Sequence, residues 1–116
     1  MWFRFKKKFI YAGRGLGYVF KRESSFKQEL FIAGGAIIVG WYLSFSKAEW
    51  LILILTIAVV LSAEVFNTIL ERLLDLIEPR LSIHIALLKD LLAAAVLLLC
   101  LAALVIGLLL IWSHIS

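Results

Sequence analysis

The chain has 116 residues, 64% of them hydrophobic and 17% charged, with a mean hydropathy of +1.04, which excludes an ordinary water-soluble domain of this length. The net charge of +4 is unevenly placed: eight of the twelve Lys and Arg fall within the first 28 residues, and the remainder is net acidic. No base-reading motif accompanies that basic, aromatic start, so nucleic acid is not an expected partner, whereas a surface of anionic headgroups is.

Residues 1–23 read as an interfacial amphipathic helix. On a wheel of about 100° per residue, Trp2, Phe5, Phe9, Leu16 and Phe20 fall within about 60° of one another, with Lys7, Arg14 and Lys21 opposite. The basic stretch is long and no small-x-small cleavage pattern follows it closely, which argues against a signal peptide. Gly13-Arg14-Gly15-Leu16-Gly17 follows no strand and lacks the Gly-Lys-Ser/Thr ending of a phosphate-binding loop, so it reads as a helix segment. The helix should end at Glu23-Ser24-Ser25, where Ser24 or Ser25 would cap the next one.

Three membrane spans are expected. No charge occurs from Leu30 to Ser46, from Trp50 to Ala63, or from Leu91 to Ser113, and a helix needs roughly 20 apolar residues to cross the hydrocarbon core. The first span is placed at 26–46, flanked by Lys27 and Lys47, which can snorkel. The second is placed at 49–78: its apolar run is short, but Asn67, Glu71 and Asp75 are interleaved with Val65, Phe66, Ile69, Leu70, Leu73 and Leu74 at helical spacing, and Pro79 would end it. The third is placed at 86–113. Gly34, Gly35 and Gly40 should permit close helix packing, and Trp41, Tyr42, Trp50, Trp112 and His114 should anchor the outer interface. The whole is an all-α membrane protein, one domain over 1–116. The basic N-terminal arm places the N-terminus in the cytoplasm. Every acidic residue except Glu49 then lies in the cytoplasmic half.

Glu64, Asn67, Glu71 and Asp75 form one helical stripe about 80° wide. An ionisable group in a membrane helix costs about 2.5–3.5 kcal/mol at the centre, so the stripe needs a protein, metal or water partner. One reading is a salt-bridge seam with Lys89, Arg72 or Arg80. The other is a divalent-cation and phosphate site, because Mg²⁺ is commonly held by one or two carboxylates together with substrate phosphates. Glu23, before the first span, and Lys89-Asp90, opening the third, lie at the same depth and could complete it. The single cysteine, Cys100, sits in an apolar run, so neither an intrachain disulfide nor a Cys-based metal site is expected.

These residues resemble the small prokaryotic diacylglycerol kinase and undecaprenol kinase family over nearly the whole chain. Glu64-Val65-Phe66-Asn67-Thr68-Ile69-Leu70-Glu71, followed by Asp75, is similar to the family's E-x-x-N-[ST]-x-x-E-x-x-x-D signature. Arg22-Glu23-Ser24-Ser25-Phe26-Lys27-Gln28-Glu29 resembles its acidic motif before the first span, and Lys89-Asp90 with Ala93-Ala94-Ala95-Val96 resembles K-D-x-x-A-G-A-V. The resemblance implies a homotrimer in the bacterial cytoplasmic (inner) membrane, with active sites shared between neighbours, that phosphorylates a lipid hydroxyl from Mg-ATP. By the same resemblance Glu64 is the general base and Asn67 a polar residue of the active centre. Glu23 and Glu71 hold Mg²⁺ on the ATP phosphates, while Lys89, Asp90, Tyr11 and Arg4 contact the nucleotide; Glu29 and Asp75 are additional candidates.

The chain departs from the family pattern in places. Ile69 and Leu70 stand for the usual Ala-Ile and Ala94 for the usual Gly, adding bulk where the family packs helices closely. Ser82 stands where a histidine is common, with His84 nearby, which puts nucleotide contacts from Arg80 to Ser82 in doubt. Glu49-Trp50 resembles the Gram-positive branch, in which undecaprenol is the usual substrate. The rival expectation is a non-enzymatic membrane oligomer, an ion path or a lipid-binding scaffold.

Overall fold

The computed structural model describes residues 2–77 and 83–115. They form α1 (Trp2–Arg22), α2 (Ser24–Tyr42), α3 (Lys47–Ile77) and α4 (Ile83–Ile115). The longest packing seam joins α3 to α4; α2 lies on α3, and α1 leans on both α2 and α3. Pro79 and the segment Arg80–Ser82 lie outside the described residues.

Among the described residues two helices are long and apolar enough to cross a membrane, α3 and α4, and the apolar stretch of α4 is hardly buried by the rest of the chain. The expected first span does not reach that standard: in its helix of 19 residues, Lys27, Gln28 and Glu29 occupy the first two turns. Side chains as large as Phe31, Leu98 and Leu104 point outward, 58–83% exposed. Such a surface is untenable in water but natural against lipid, where apolar side chains need no protein cover. At about 1.5 Å per residue, the 31 residues of α3 outrun a hydrocarbon core of about 30 Å, so one end of α3 stands in the headgroup layer or beyond it.

α1 and α2 are almost one helix, broken only at Glu23, whose backbone turns extended (φ −109°, ψ 110°). Glu23 is the N-cap residue itself, in place of Ser24 or Ser25, and its side chain makes no capping bond. That leaves its carboxylate available to reach another helix.

α2 stops at Tyr42, short of the expected 46, because the chain reverses there. Phe45 N donates to Gly40 O at 3.0 Å and Ser44 N to Trp41 O at 3.2 Å, with Ser44 left-handed at φ 57°. These are the two bonds of a Schellman ending. Leu43 and Phe45 make the run look continuous in sequence, but Phe45 folds back onto the helix. A Cβ added at Gly40 would lie 2.9 Å from the Phe45 ring and 3.1 Å from that of Trp50, whereas Gly34 and Gly35 have nothing within 4 Å. Among the described residues, Gly40 is the one of the three span glycines that makes a close approach. Gly40→Ala should therefore lower stability by about 1–3 kcal/mol through overpacking, offset by up to about 1 kcal/mol of helix propensity. A fall in thermal unfolding temperature checks this, with Gly35→Ala as the control whose unfolding temperature should hold or rise.

α3 starts on a capping box that the Ser46-Lys47-Ala48-Glu49 spacing already encodes. Ser46 N donates to Glu49 Oε1 at 2.9 Å, and Glu49 N donates to Ser46 Oγ at 3.2 Å. The second oxygen of Glu49 meets His114 Nε2 at 2.7 Å and accepts from Ser113 Oγ at 3.4 Å, tying the end of α4 to the start of α3. Phe45 stacks on the His114 ring at 5.1 Å and meets Trp50 edge-on at 5.8 Å. His114 is thus a packed clasp residue as well as an end-of-helix aromatic. The buried apolar core is small: Phe45, Leu53 and Leu110 cluster near this end, while Val60, Phe26 and Val19 are buried elsewhere.

Candidate active site

At the opposite end, the stripe on α3 meets α2 and α4. Helical spacing alone puts Glu64, Asn67, Glu71 and Asp75 on one side of α3. The packing of α3 buries its deeper part: Glu64 exposes 9% of its surface and Thr68 5%. Thr68 Oγ donates back to the Glu64 carbonyl at 3.0 Å, which satisfies the hydroxyl within the helix. Asn67 Nδ2 donates to Glu71 Oε1 at 3.3 Å, fixing the Glu71 carboxylate, while Asn67 Oδ1 is buried with no donor among the described residues.

Two ion pairs carry the neighbouring helices to this stripe. Arg72 Nη2 lies 3.7 Å from Glu23 Oε1, which brings the α1/α2 break beside α3 at the level of Glu71. Lys89 Nζ donates to Asp75 Oδ1 at 2.7 Å, which brings the start of α4 beside the next turn of α3. Within the chain, Glu23, Glu71, Asp75 and Lys89 therefore converge on two successive turns of α3. Asp90 is exposed beside Lys89. Arg4 and Tyr11 lie exposed on α1, two turns apart, and neither bonds to the carboxylates among the described residues.

The salt-bridge seam is partly real. It accounts for Asp75, through Lys89, and for Glu23, through Arg72, but gives Glu64 and Glu71 no cation among the described residues. Glu29, Glu23 and Glu71 all lie near enough to Glu64 to act on it electrostatically. Mutually repelling carboxylates around a buried one favour a positive charge that no described residue supplies to Glu64 or Glu71.

Ile69 and Ala94, where bulk is added, are both exposed. Leu70 lines an apolar hollow between α3 and α4 together with Leu73, Leu74, Leu88, Leu91 and Leu92. Cys100 is the residue that sequence reasoning misplaces. Far from being isolated among leucines, it donates from Sγ to Glu29 Oε1 at 3.6 Å, and Glu29, Glu64 and Cys100 bring their polar atoms within 4.8 Å of one another. The apolar run hides this because Cys100 faces inward across α2 while its neighbours Leu97, Leu98 and Leu101 face out.

The family model for prokaryotic diacylglycerol kinase matches residues 10–111, from the middle of α1 to the last turns of α4. This chain belongs to the prokaryotic diacylglycerol kinase family. An undecaprenol kinase of Bacillus subtilis (strain 168) is 34% identical over 106 residues, covering 91% of this chain and 86% of that protein. The matched span contains the α3 stripe, Glu23, Glu29, Lys89 and Asp90, and omits Arg4.

Proposed function

We propose that this chain, a lipid kinase by family, transfers the γ-phosphoryl group of ATP, with Mg²⁺, to the hydroxyl of a membrane lipid at the cytoplasmic interface, and that undecaprenol is preferred over diacylglycerol. The observation that carries the site assignment is the pair of carboxylates without a cation among the described residues, Glu64 and Glu71, on the helix that Glu23 and Lys89 reach at the turns of Arg72 and Asp75. The preference for undecaprenol rests on the name of the similar Bacillus protein and on Glu49-Trp50. α2 is taken as a third crossing, with α1 on the inner surface. The working unit is a homotrimer in the bacterial cytoplasmic (inner) membrane, with the N-terminus in the cytoplasm.

The donor set suits magnesium. Glu23 and Glu71 offer hard carboxylate oxygens, and one oxygen of Glu71 is already oriented by Asn67, the arrangement expected around a Mg²⁺ that keeps some of its water. Bound there, Mg²⁺ would neutralise charge on the ATP phosphates. Lys89 adds a mobile positive charge at the same level, and Asp90, Tyr11 and Arg4 would contact the rest of the nucleotide. Its bond to Asp75 keeps Lys89 extended along α3 until a phosphate competes for it. Asn67 Oδ1 is a buried acceptor with no donor among the described residues, suited to orienting a hydroxyl or a water. Glu64, one turn deeper, takes the proton from the lipid hydroxyl as its oxygen attacks phosphorus. Phosphoryl transfer asks for this combination of positioning, charge neutralisation and one base, with no covalent intermediate on the protein. The cleft among α2, α3 and α4, about 410 Å³ and lined by Ile32, Ala36, Val60, Leu104 and Gly107 beyond Glu29, offers the apolar surroundings a lipid chain needs.

The direct assay supplies labelled ATP, Mg²⁺ and either lipid to the folded protein in bilayers. Phosphorylation of undecaprenol at the higher kcat/KM supports the proposal. Transfer to diacylglycerol alone would overturn the preference, and transfer to neither would overturn the catalytic assignment. Ion uptake by liposomes without ATP would favour the ion-path reading instead.

Lys89→Met separates function from stability. The Lys89–Asp75 pair is 41% and 51% exposed, so losing it should cost no more than about 1 kcal/mol of stability. A charge-assisted hydrogen bond to phosphate is worth about 1.5–3 kcal/mol, so KM for ATP should rise roughly 10–100-fold, as initial rates at saturating lipid will show.

A further inference from the structure

We infer that Glu29, Glu64 and Cys100 form a second cation site, distinct from the magnesium ligands, that binds a thiophilic divalent ion such as Zn²⁺ or Cd²⁺ and thereby silences the enzyme. The three ligands come from three helices, α2, α3 and α4, and their donor atoms lie within 4.8 Å of one another. A tetrahedral zinc with Zn–S of about 2.3 Å and Zn–O of about 2.0–2.2 Å spaces its ligand atoms about 3.3–3.8 Å apart. The Cys100 Sγ to Glu29 Oε1 edge, 3.6 Å, already has that length, so modest side-chain rotations of the other two edges complete the site.

A thiol with two carboxylates would be a weak inference if the acids were solvated surface groups. Glu64 is not: it is nine-tenths buried, and no donor or cation among the described residues reaches its carboxylate. It is aimed at Glu29 and Cys100, and the cleft lined by Glu29 and Cys100 opens beside it. The ligand set selects the ion. Mg²⁺ takes hard oxygen donors and has little use for sulfur, whereas Zn²⁺ and Cd²⁺ take thiolate with carboxylate readily. As the metal–sulfur bond forms, the Cys100 S–H bond breaks and its proton passes to water, one proton per ion. Glu64, once ligated, has its charge drawn to the ion and is a far weaker base toward the lipid hydroxyl. The inhibition therefore rests on the kinase reading above, while the binding does not.

Two measurements test the two parts separately. The full chain in detergent or bilayers is titrated with Cd²⁺ alone, and the thiolate-to-cadmium absorption band is followed in the ultraviolet. The inference predicts a band saturating at one ion per chain, with the midpoint raised at least about ten-fold in Glu29→Gln and in Glu64→Gln, because even supporting groups of metal sites change affinity by about 10–100-fold. No band, or a midpoint unchanged by both substitutions, would overturn it. In the second measurement, Zn²⁺ is titrated into the kinase assay at fixed Mg-ATP. With each protein's rate taken relative to its own rate without Zn²⁺, Cys100→Ala should need at least about ten-fold more Zn²⁺ for half-inhibition. Cys100→Ser serves in its place if the alanine protein unfolds. Identical inhibition curves for wild type and the variant would place the ion on the magnesium ligands and overturn the inhibitory role. If no lipid is phosphorylated at all, the cadmium titration still decides whether the site exists.

Discussion

Glu64→Gln should lower kcat by about 10²–10⁴-fold, the range that general base catalysis supplies, while ATP binding in the presence of Mg²⁺ stays within a few-fold of wild type. The reason lies in what surrounds the side chain. Glu64 is buried and accepts no hydrogen bond on its carboxylate among the described residues; the contact from Thr68 is to its backbone carbonyl. A glutamine of the same shape therefore breaks no bond of the fold. It also removes one negative charge from a group that includes Glu29, Glu23 and Glu71. The variant should melt no lower than wild type and lose its turnover all the same. Equilibrium nucleotide binding, thermal unfolding and single-turnover transfer, measured on one preparation, separate that outcome from simple misfolding. A variant that keeps full turnover would show that the lipid hydroxyl loses its proton elsewhere.

The second large effect concerns metal. Glu71→Gln and Glu23→Gln should each raise the Mg²⁺ concentration for half-maximal activity at least about ten-fold, and the double variant should remain inactive at any practical Mg²⁺ concentration. Glutamine at 71 can still accept the Asn67 amide that reaches Glu71 at 3.3 Å, so the local geometry is retained and the missing charge is what the titration reads. Among the described residues the Glu23 carboxylate makes one ion pair, a long contact to an exposed Arg72, so its removal should hardly move the unfolding temperature. Asp75→Asn is the contrasting variant. Its partner Lys89 is freed, the magnesium ligands are untouched, and the Mg²⁺ midpoint should stay where it is.

Much of this arrangement is legible in the amino-acid sequence. Charge-free runs mark the helices, and a spacing of three and four residues puts Glu64, Asn67, Glu71 and Asp75 on one face, because both depend only on local periodicity. That Glu23 and Lys89 approach this face follows from depth alone, and Arg72 and Asp75 are the residues that receive them. Three features are harder to see. The end of α2 is set by a left-handed Ser44 and by Phe45 folding back on Gly40, whereas hydropathy runs straight through that turn. The Ser46–Glu49 capping box is present in the spacing but masked by a span expected to reach residue 46. Its continuation to Ser113 and His114 joins residues too distant in the chain for any local pattern. Cys100 beside Glu29 is of the same long-range kind. Side-chain direction on a helix packed against two others follows from tertiary contact, and a cysteine among leucines carries no sign of it.

The measurement that bears most directly on the central claim is a structure of the protein in lipid with Mn²⁺ and a non-hydrolysable ATP analogue, using the anomalous signal of manganese to locate the ion. The account predicts the ion between the carboxylates of Glu23 and Glu71, with the terminal phosphate turned toward Lys89 and Glu64 facing the lipid side. An ion and nucleotide bound away from the turns of α3 that carry Glu71 and Asp75, contacting neither Glu23 nor Glu71, would contradict it.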